Sequence, residues 1–340
     1  MAKNTYGLDL GSYDIKVYDK KRDTIWNEKC VIAIKNKREI YAVGDDAYCM
    51  YEKTPESIEV LFPMKAGMIT GFTNMQFLLQ NLIKGERQFS HGAEYVVAVP
   101  TDVTKVQKKA FFDLVIHSTA KAKEVNIVER SIADAIGMNI DARNTRGTFI
   151  ANFGGETTEL SVLAGGGMVL NRLLPIGGRN YDDAIITIIR NSHDFLIGRH
   201  TAEALRRRFD IFKADSEAAF MVAGRDLITG VPMQKAISIN LVRAAVRDPL
   251  MECIQSIQSL LDRTPPEVRT AIHKNGIFLT GGVANTNGLD AYIEKNVGIT
   301  TRTAVNPEFC SVNGLKKIIM SKELRQLAFS MLDDRYRWMS

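Results

Sequence analysis

The sequence predicts an α/β fold built from two similar halves, and three stretches carry that expectation. Leu8-Asp9-Leu10-Gly11-Ser12-Tyr13-Asp14-Ile15-Lys16-Val17 and Ala151-Asn152-Phe153-Gly154-Gly155-Glu156-Thr157-Thr158-Glu159-Leu160 follow one plan. Each is an apolar strand ending in an acid or amide, then a turn of small residues, then a second strand. A glycine two residues after Asp9 or Asn152 permits turn angles that a side chain forbids and lets N–H groups point inward. The third stretch, Ile277-Phe278-Leu279-Thr280-Gly281-Gly282, is an apolar strand running into a glycine turn. Two such hairpins, one from each half, can close on one polyphosphate from opposite sides.

The remaining elements follow in chain order. Tyr6–Leu10 and Ile15–Tyr18 read as the first hairpin, followed by a polar region of strands and turns over residues 21–75, with turn punctuation at Gly44-Asp45-Asp46. Met75–Ile83 reads as helix, and Tyr95–Val99 as a buried strand closed by Pro100. Thr101 or Thr104 is placed to cap a helix running through Leu114. Val125–Val128 is a short strand, and Glu129 to Met138 has a helical pattern. Arg143 to Gly147 reads as a linker into the second half, which opens with the hairpin Thr148–Val162. A helix is expected from near Tyr181 and a basic helix from Thr201 to Arg208. Ser238 to Leu261 carries Leu250, Ile254, Ile257 and Leu261 at helical spacing and is expected to be interrupted at Pro249. Strands alternating with helices, together with the repeated hairpin, give the α/β class.

Bulk composition narrows the function. At 340 residues, 45% hydrophobic and 24% charged, the chain has room for two domains with cores. Its 44 basic and 39 acidic residues give +5, and no Lys/Arg block is interleaved with aromatics, so nucleic-acid binding is not expected. The four cysteines are scattered with no CxxC pair, which argues against a zinc site and a disulfide scaffold. The first residues run directly into a strand, and no segment offers the roughly 18 apolar residues of a spanning helix. The expectation is a cytoplasmic protein whose membrane contact, if it has one, is peripheral.

A nucleotide site needs backbone donors for phosphates, an acid for Mg²⁺ and a polar group to orient water. The chain has neither GxxxxGK[ST] nor a GxGxxG after its first strand, which disfavours a P-loop enzyme and a dinucleotide fold. Its own candidates are Asp9 with Gly11-Ser12, Gly154-Gly155 with Thr157 and Thr158, and Glu129. With these in order come Val43-Gly44-Asp45-Asp46-Ala47, Lys53-Thr54-Pro55, Val99-Pro100, Ile176-Gly177-Gly178, Leu196-Ile197-Gly198, Arg263-Thr264-Pro265-Pro266-Glu267 and Leu279-Thr280-Gly281-Gly282. Over nearly its full length the chain resembles the actin superfamily, and within it the MreB-type bacterial actins that determine rod shape.

That resemblance implies an actin-like duplicated two-domain α/β fold with a central nucleotide cleft and two smaller inserted subdomains. Domain I would span 1–145 with its small piece near 31–75, completed by a C-terminal helix over 315–340. Domain II would span 146–314 with its small piece near 179–254. The ligands implied are ATP or ADP with Mg²⁺. Asp9 would hold Mg²⁺ through water, Gly11 and Ser12 would wrap the β-phosphate, and Tyr13 would also contact the nucleotide. Lys16 is either a phosphate ligand or a solvated strand residue. Gly154, Gly155, Thr157 and Thr158 would form the second phosphate loop, with Glu156 beside the nucleotide and Glu129, Asn152 and Thr158 at the place of catalysis. Gly178, Gly281, Gly282 and Val283 would lie near the nucleotide, and Glu203 and Arg207 near base and ribose, unless the Arg206-Arg207-Arg208 run is a solvated helix face.

The resemblance further implies head-to-tail and paired filaments on the inner face of the cell membrane, acting with the cell-wall synthesis machinery, with Phe89 as the membrane loop. Three residues depart from the family. Asn152 stands in place of a second aspartate, Glu156 in place of a glycine beside the γ-phosphate, and Arg179 where an acid is usual. These departures favour slow ATP turnover. The rival readings are a divergent MreB paralogue or plasmid-segregation actin with little hydrolysis, and a sugar or acetate kinase of the same superfamily.

Overall fold

The two hairpins occupy equivalent places in two five-stranded sheets. The structure, a computed structural model, describes residues 4–84, 92–117, 122–208, 211–212 and 218–332. In the first sheet Thr5–Leu10 pairs antiparallel with Asp14–Asp19 and parallel with Glu94–Val99. The full order is Glu124–Glu129, Glu94–Val99, Thr5–Leu10, Asp14–Asp19, Thr24–Lys29. In the second, Thr148–Phe153 pairs antiparallel with Thr158–Ala164 and parallel with Ile277–Thr280. Its order is Thr301–Thr303, Ile277–Thr280, Thr148–Phe153, Thr158–Ala164, Gly167–Leu174. The two orders correspond strand for strand, so the repeat seen in the hairpins extends through the sheets. Thr5–Leu10 and Thr148–Phe153 are buried at every position, as central strands covered on both faces must be.

A parallel neighbour requires a long crossover, and both halves use theirs to carry a small three-stranded sheet. The first contains Ile32–Lys35, Glu39–Val43 and Ile58–Leu61; the second contains Phe195–Leu196, Ala219–Asp226 and Pro232–Ser238. Between the large sheets, helix Arg130–Gly137 crosses helix Cys310–Met320. They approach so closely that a Cβ on Gly314 would lie 1.8 Å from the Ala133 carbonyl oxygen, so only glycine fits. The apolar cluster around them includes Val96 of the first sheet and Ile150 and Leu163 of the second. One shared core therefore sets the spacing of the two hairpins.

Several local expectations change. The segment around Pro249 is one continuous helix, Ile239–Arg263. Val246 and Leu250 on either side of the proline, and Ile254 and Ile257 beyond it, bury into the largest core, and that burial outweighs the missing backbone donor. Gly44-Asp45-Asp46 opens a helix, Gly44–Met50, with both aspartates in its first turn where the helix dipole favours them. Thr104, not Thr101, caps helix Lys105–Ile116, exchanging hydrogen bonds with Gln107. Of the helix expected over 315–340, the described part runs Cys310–Met320, and 321–332 are not α-helical. Beyond it Phe329 exchanges backbone hydrogen bonds of 2.8 and 3.0 Å with Ile127 at the edge of the first sheet. Phe89 and the last eight residues, 333–340, lie outside the described residues.

Candidate functional site

The turns of the two hairpins meet. A Cβ on Gly155 would lie 2.6 Å from the Cβ of Tyr13, so the second turn approaches the first only because position 155 has no side chain. Behind this contact opens a cleft of about 880 Å³, the solvent-open space at its mouth included. Its walls include Asp9, Gly11, Ser12, Tyr13 and Lys16 from the first hairpin, and Asn152, Gly154, Gly155, Glu156 and Thr157 from the second. Gly178, Arg207, Gly281, Gly282 and Val283 of the expected set also line it. Glu129, Thr158 and Glu203 are not among the lining residues. Glu129 is held by Lys108 Nζ at 2.6 Å. Thr158 is fully buried and donates its hydroxyl to the Ile176 carbonyl at 2.8 Å. Glu203 sits behind Tyr13, accepting its phenol at 2.5 Å and that of Tyr48 at 2.8 Å. Burial works against the Glu203 charge, but these two hydrogen bonds and the nearby Arg207 hold the carboxyl below its ordinary range.

The cleft floor is organised by residues that the sequence does not single out. Arg130, the first residue of its helix and buried, donates Nε to Asp9 Oδ1 at 3.3 Å and Nη2 to the Leu10 carbonyl at 3.1 Å. Its Nη1 pairs with Glu159. Glu159 lies directly across the strand pair from Asn152, just as Lys16 lies across from Asp9. One guanidinium therefore bridges both hairpins. Four residues further along the helix, Asp134 is fully buried and accepts Asn152 Nδ2 at 2.7 Å, Thr280 Oγ1 at 2.9 Å and Ser311 Oγ at 2.6 Å. Burial pushes its carboxyl up to about 6 in spite of those three donors.

Two of the unusual residues turn out to be partners. Arg179 Nη1 pairs with Glu156, whose other oxygen accepts the Ala66 backbone N–H at 2.7 Å. The added negative charge beside the second turn is thus compensated within the chain. Lys16 is buried and 3.6 Å from Asp14, so it is a cleft cation and not a solvated strand residue. Arg206 is also buried, donating to Asp182 at 2.7 Å, which removes it from the exposed face expected of the basic run. The burial of Arg206 follows from which face of its helix packs inward, a fact absent from the local composition.

Residues 3–327 of the chain match the family described as MreB/Mbl protein. It belongs to the MreB/Mbl family. Over 323 residues it is 32% identical to the cell shape-determining protein MreB of Escherichia coli strain K12, covering 92% of each chain. It is 28% identical over 318 residues to the cell shape-determining protein Mbl of Bacillus subtilis strain 168, covering 92% of this chain and 95% of that protein. The crystal structure of MreB5 of Spiroplasma citri bound to AMPPNP superposes with a TM-score of 0.88 at 27% identity, covering 96% of this chain and 99% of that one. A MamK double helical filament structure, at 19% identity and TM-score 0.79, shares the fold. The fold is actin-like, an α/β arrangement with two mixed five-stranded sheets.

For a member of the MreB/Mbl family, the residues of this cleft fit one expected ligand and not the other. Bare glycine backbone in two facing turns, with Lys16, Arg130, Arg179 and Arg207 on the walls, suits a nucleotide polyphosphate. Mg²⁺ fits poorly at Asp9, whose carboxylate already holds the Arg130 cation, and Asn152 supplies no charge.

Proposed function

We propose that this chain binds ATP and ADP between its two hairpins and assembles head to tail into filaments that act in determining cell shape. The observation that carries this reading is the contact of Gly155 with Tyr13, which brings two phosphate-type turns together over a cation-lined cleft. The likeness to the AMPPNP-bound MreB5 and to the cell shape-determining MreB and Mbl supports it. A nucleotide bridging both halves would fix their closure and with it the end surfaces, and a heterologous contact that does not close gives an open filament. Family membership favours this over a sugar or acetate kinase. Purified protein should pellet as filaments with ATP and remain in the supernatant without nucleotide. Protein that stays monomeric at tens of micromolar with ATP, a range where weak contacts of about −6 kcal/mol saturate, would refute assembly.

Turnover in these filaments is slow. The supporting observation is Asn152, an amide whose nitrogen is committed to Asp134, leaving no charge of its own at the place of catalysis. Among the described residues no helix is long and apolar enough to cross a membrane. Membrane contact is proposed to be peripheral, on the inner face, through the loop of Phe89, and to bring the filaments to the cell-wall synthesis machinery. Phe89→Ser should lower co-sedimentation of filaments with anionic liposomes more than it lowers filament formation. Equal recovery of both proteins would place the contact elsewhere.

A further inference from the structure

We propose that Arg130 is a resident counter-charge of the phosphate cleft, so that this chain holds nucleotide with little dependence on Mg²⁺. The inference rests on the nucleotide-binding reading above and adds to it the way charge is neutralised. A hydrated divalent cation needs carboxylate oxygens free to accept from its water shell. In this cleft three of the acids that line it, Asp9, Asp14 and Glu156, already face a cation, while Glu308, which also lines it, faces only the Asn285 amide, at 3.3 Å, among the described residues. Asp9 is held by Arg130 at 3.3 Å, Asp14 by Lys29 at 2.7 Å and by Lys16 at 3.6 Å, and Glu156 by Arg179.

Arg130 is fixed where it stands. Its three nitrogens reach Asp9, the Leu10 carbonyl and Glu159, and Glu159 is itself anchored by the Thr101 backbone N–H at 3.2 Å. Burial disfavours the guanidinium charge, but Glu159 and Asp9 more than offset this and keep it cationic. Three of the guanidinium's five N–H groups are spent on these partners, and the two that remain are what it can offer a phosphate in the cleft it lines. It also repels a divalent ion from Asp9.

The test measures binding of fluorescent ADP and ATP by anisotropy, in magnesium and in EDTA, for wild type, Arg130→Met and Arg130→Lys. Wild-type affinity should change by less than about fivefold between the buffers, whereas Arg130→Met should lose roughly tenfold or more in EDTA, about 1.4 kcal/mol, and recover in magnesium. Arg130→Lys, which keeps the charge, should stay nearer to wild type in EDTA. Wild-type protein that binds only with magnesium overturns this inference while leaving nucleotide binding intact. The same EDTA-to-magnesium ratio for wild type and Arg130→Met also overturns it. Protein that binds neither nucleotide in either buffer refutes the nucleotide reading itself. Should Arg130→Met fail to fold, the wild-type ratio still decides.

Discussion

Asn152 donates its side-chain nitrogen to Asp134 Oδ2 at 2.7 Å, which places a carboxylate directly behind this cleft amide. That carboxylate is fully buried and shared with Thr280 and Ser311. The consequence for mutagenesis is specific. Asn152→Asp alone would set two carboxylates in hydrogen-bond contact, and they cannot both ionise. That single change should cost roughly 1–3 kcal/mol of stability and should not raise phosphate release. Asn152→Asp combined with Asp134→Asn restores a donor–acceptor pair with the charge facing the cleft. The double variant should recover stability in a denaturant titration and release phosphate roughly tenfold or more faster than wild type. Additive losses in the double-mutant cycle would show that the two side chains do not act as a pair.

The pairing of Glu156 with Arg179 leads to an asymmetry between nucleotides. Arg179 also lies over the Phe62 ring, 3.8 Å from its centroid, so it is held from two sides. Arg179→Ala leaves the Glu156 carboxylate uncompensated beside the second turn, where a terminal phosphate would approach. It should weaken ATP binding by roughly tenfold, about 1.4 kcal/mol, and ADP binding by less. Adding Glu156→Gly should return ATP affinity toward wild type. Titration calorimetry with both nucleotides distinguishes this from a general loss of structure, which would weaken both equally.

The hairpins are legible in sequence because turn chemistry is local: the acid or amide, the glycine and the following strand lie within ten residues. The sheets follow from them, since a repeated hairpin with a third glycine-ended strand fixes the central strand of each half. What local text does not carry is who meets whom. Arg130 bridges Asp9 and Glu159, which lie on opposite halves of the chain, and only the crossing of its helix over both sheets brings them together. Asp134 with Asn152 is a second meeting across the halves, while Arg206 reaches Asp182 within the second half, from helix Arg199–Arg208 to helix Gly178–His193. The resemblance carries a signal for Glu156 and Arg179: it marks both as departures, of opposite charge and twenty-three residues apart, which one pair explains more economically than two accidents.

The glycine contact gives a steric prediction. Gly155→Ala would place a Cβ 2.6 Å from the Tyr13 Cβ, well inside contact distance, and both atoms are too close to the backbone to swing away. The two turns must then separate, so nucleotide binding and nucleotide-dependent sedimentation should both fall, by roughly 1–3 kcal/mol of overpacking strain. Tyr13→Gly removes the opposing Cβ, and in combination with Gly155→Ala should recover part of the loss. Tyr13→Ala keeps that Cβ and should not rescue. If Gly155→Ala binds nucleotide like wild type, the two turns do not need this approach.

Asp134 also predicts a pH dependence of stability with a definite sign. Its carboxyl is pushed by burial from an ordinary value near 3.8 up to about 6, so the folded protein holds this proton more tightly than the unfolded chain does. A raised group contributes stability that is fully present below the unfolded value and is lost as pH rises through the folded one. Between about pH 5 and about pH 7 the loss from this single group should be about 1 kcal/mol. Other carboxylates titrate as well, Glu203 in the opposite direction because its carboxyl is held low. The quantity to measure is therefore the difference between wild type and Asp134→Asn, each unfolded by denaturant across that range. The asparagine variant carries an amide that does not titrate, though it will be less stable overall because its nitrogen replaces one carboxylate oxygen and meets either Ser311 or the pair Asn152 and Thr280, which donated to it. Wild type should gain on the variant by about 1 kcal/mol as the pH is lowered. Parallel curves for the two proteins would mean that Asp134 stays ionised throughout and that Asn152, Thr280 and Ser311 stabilise its charge more than burial opposes it.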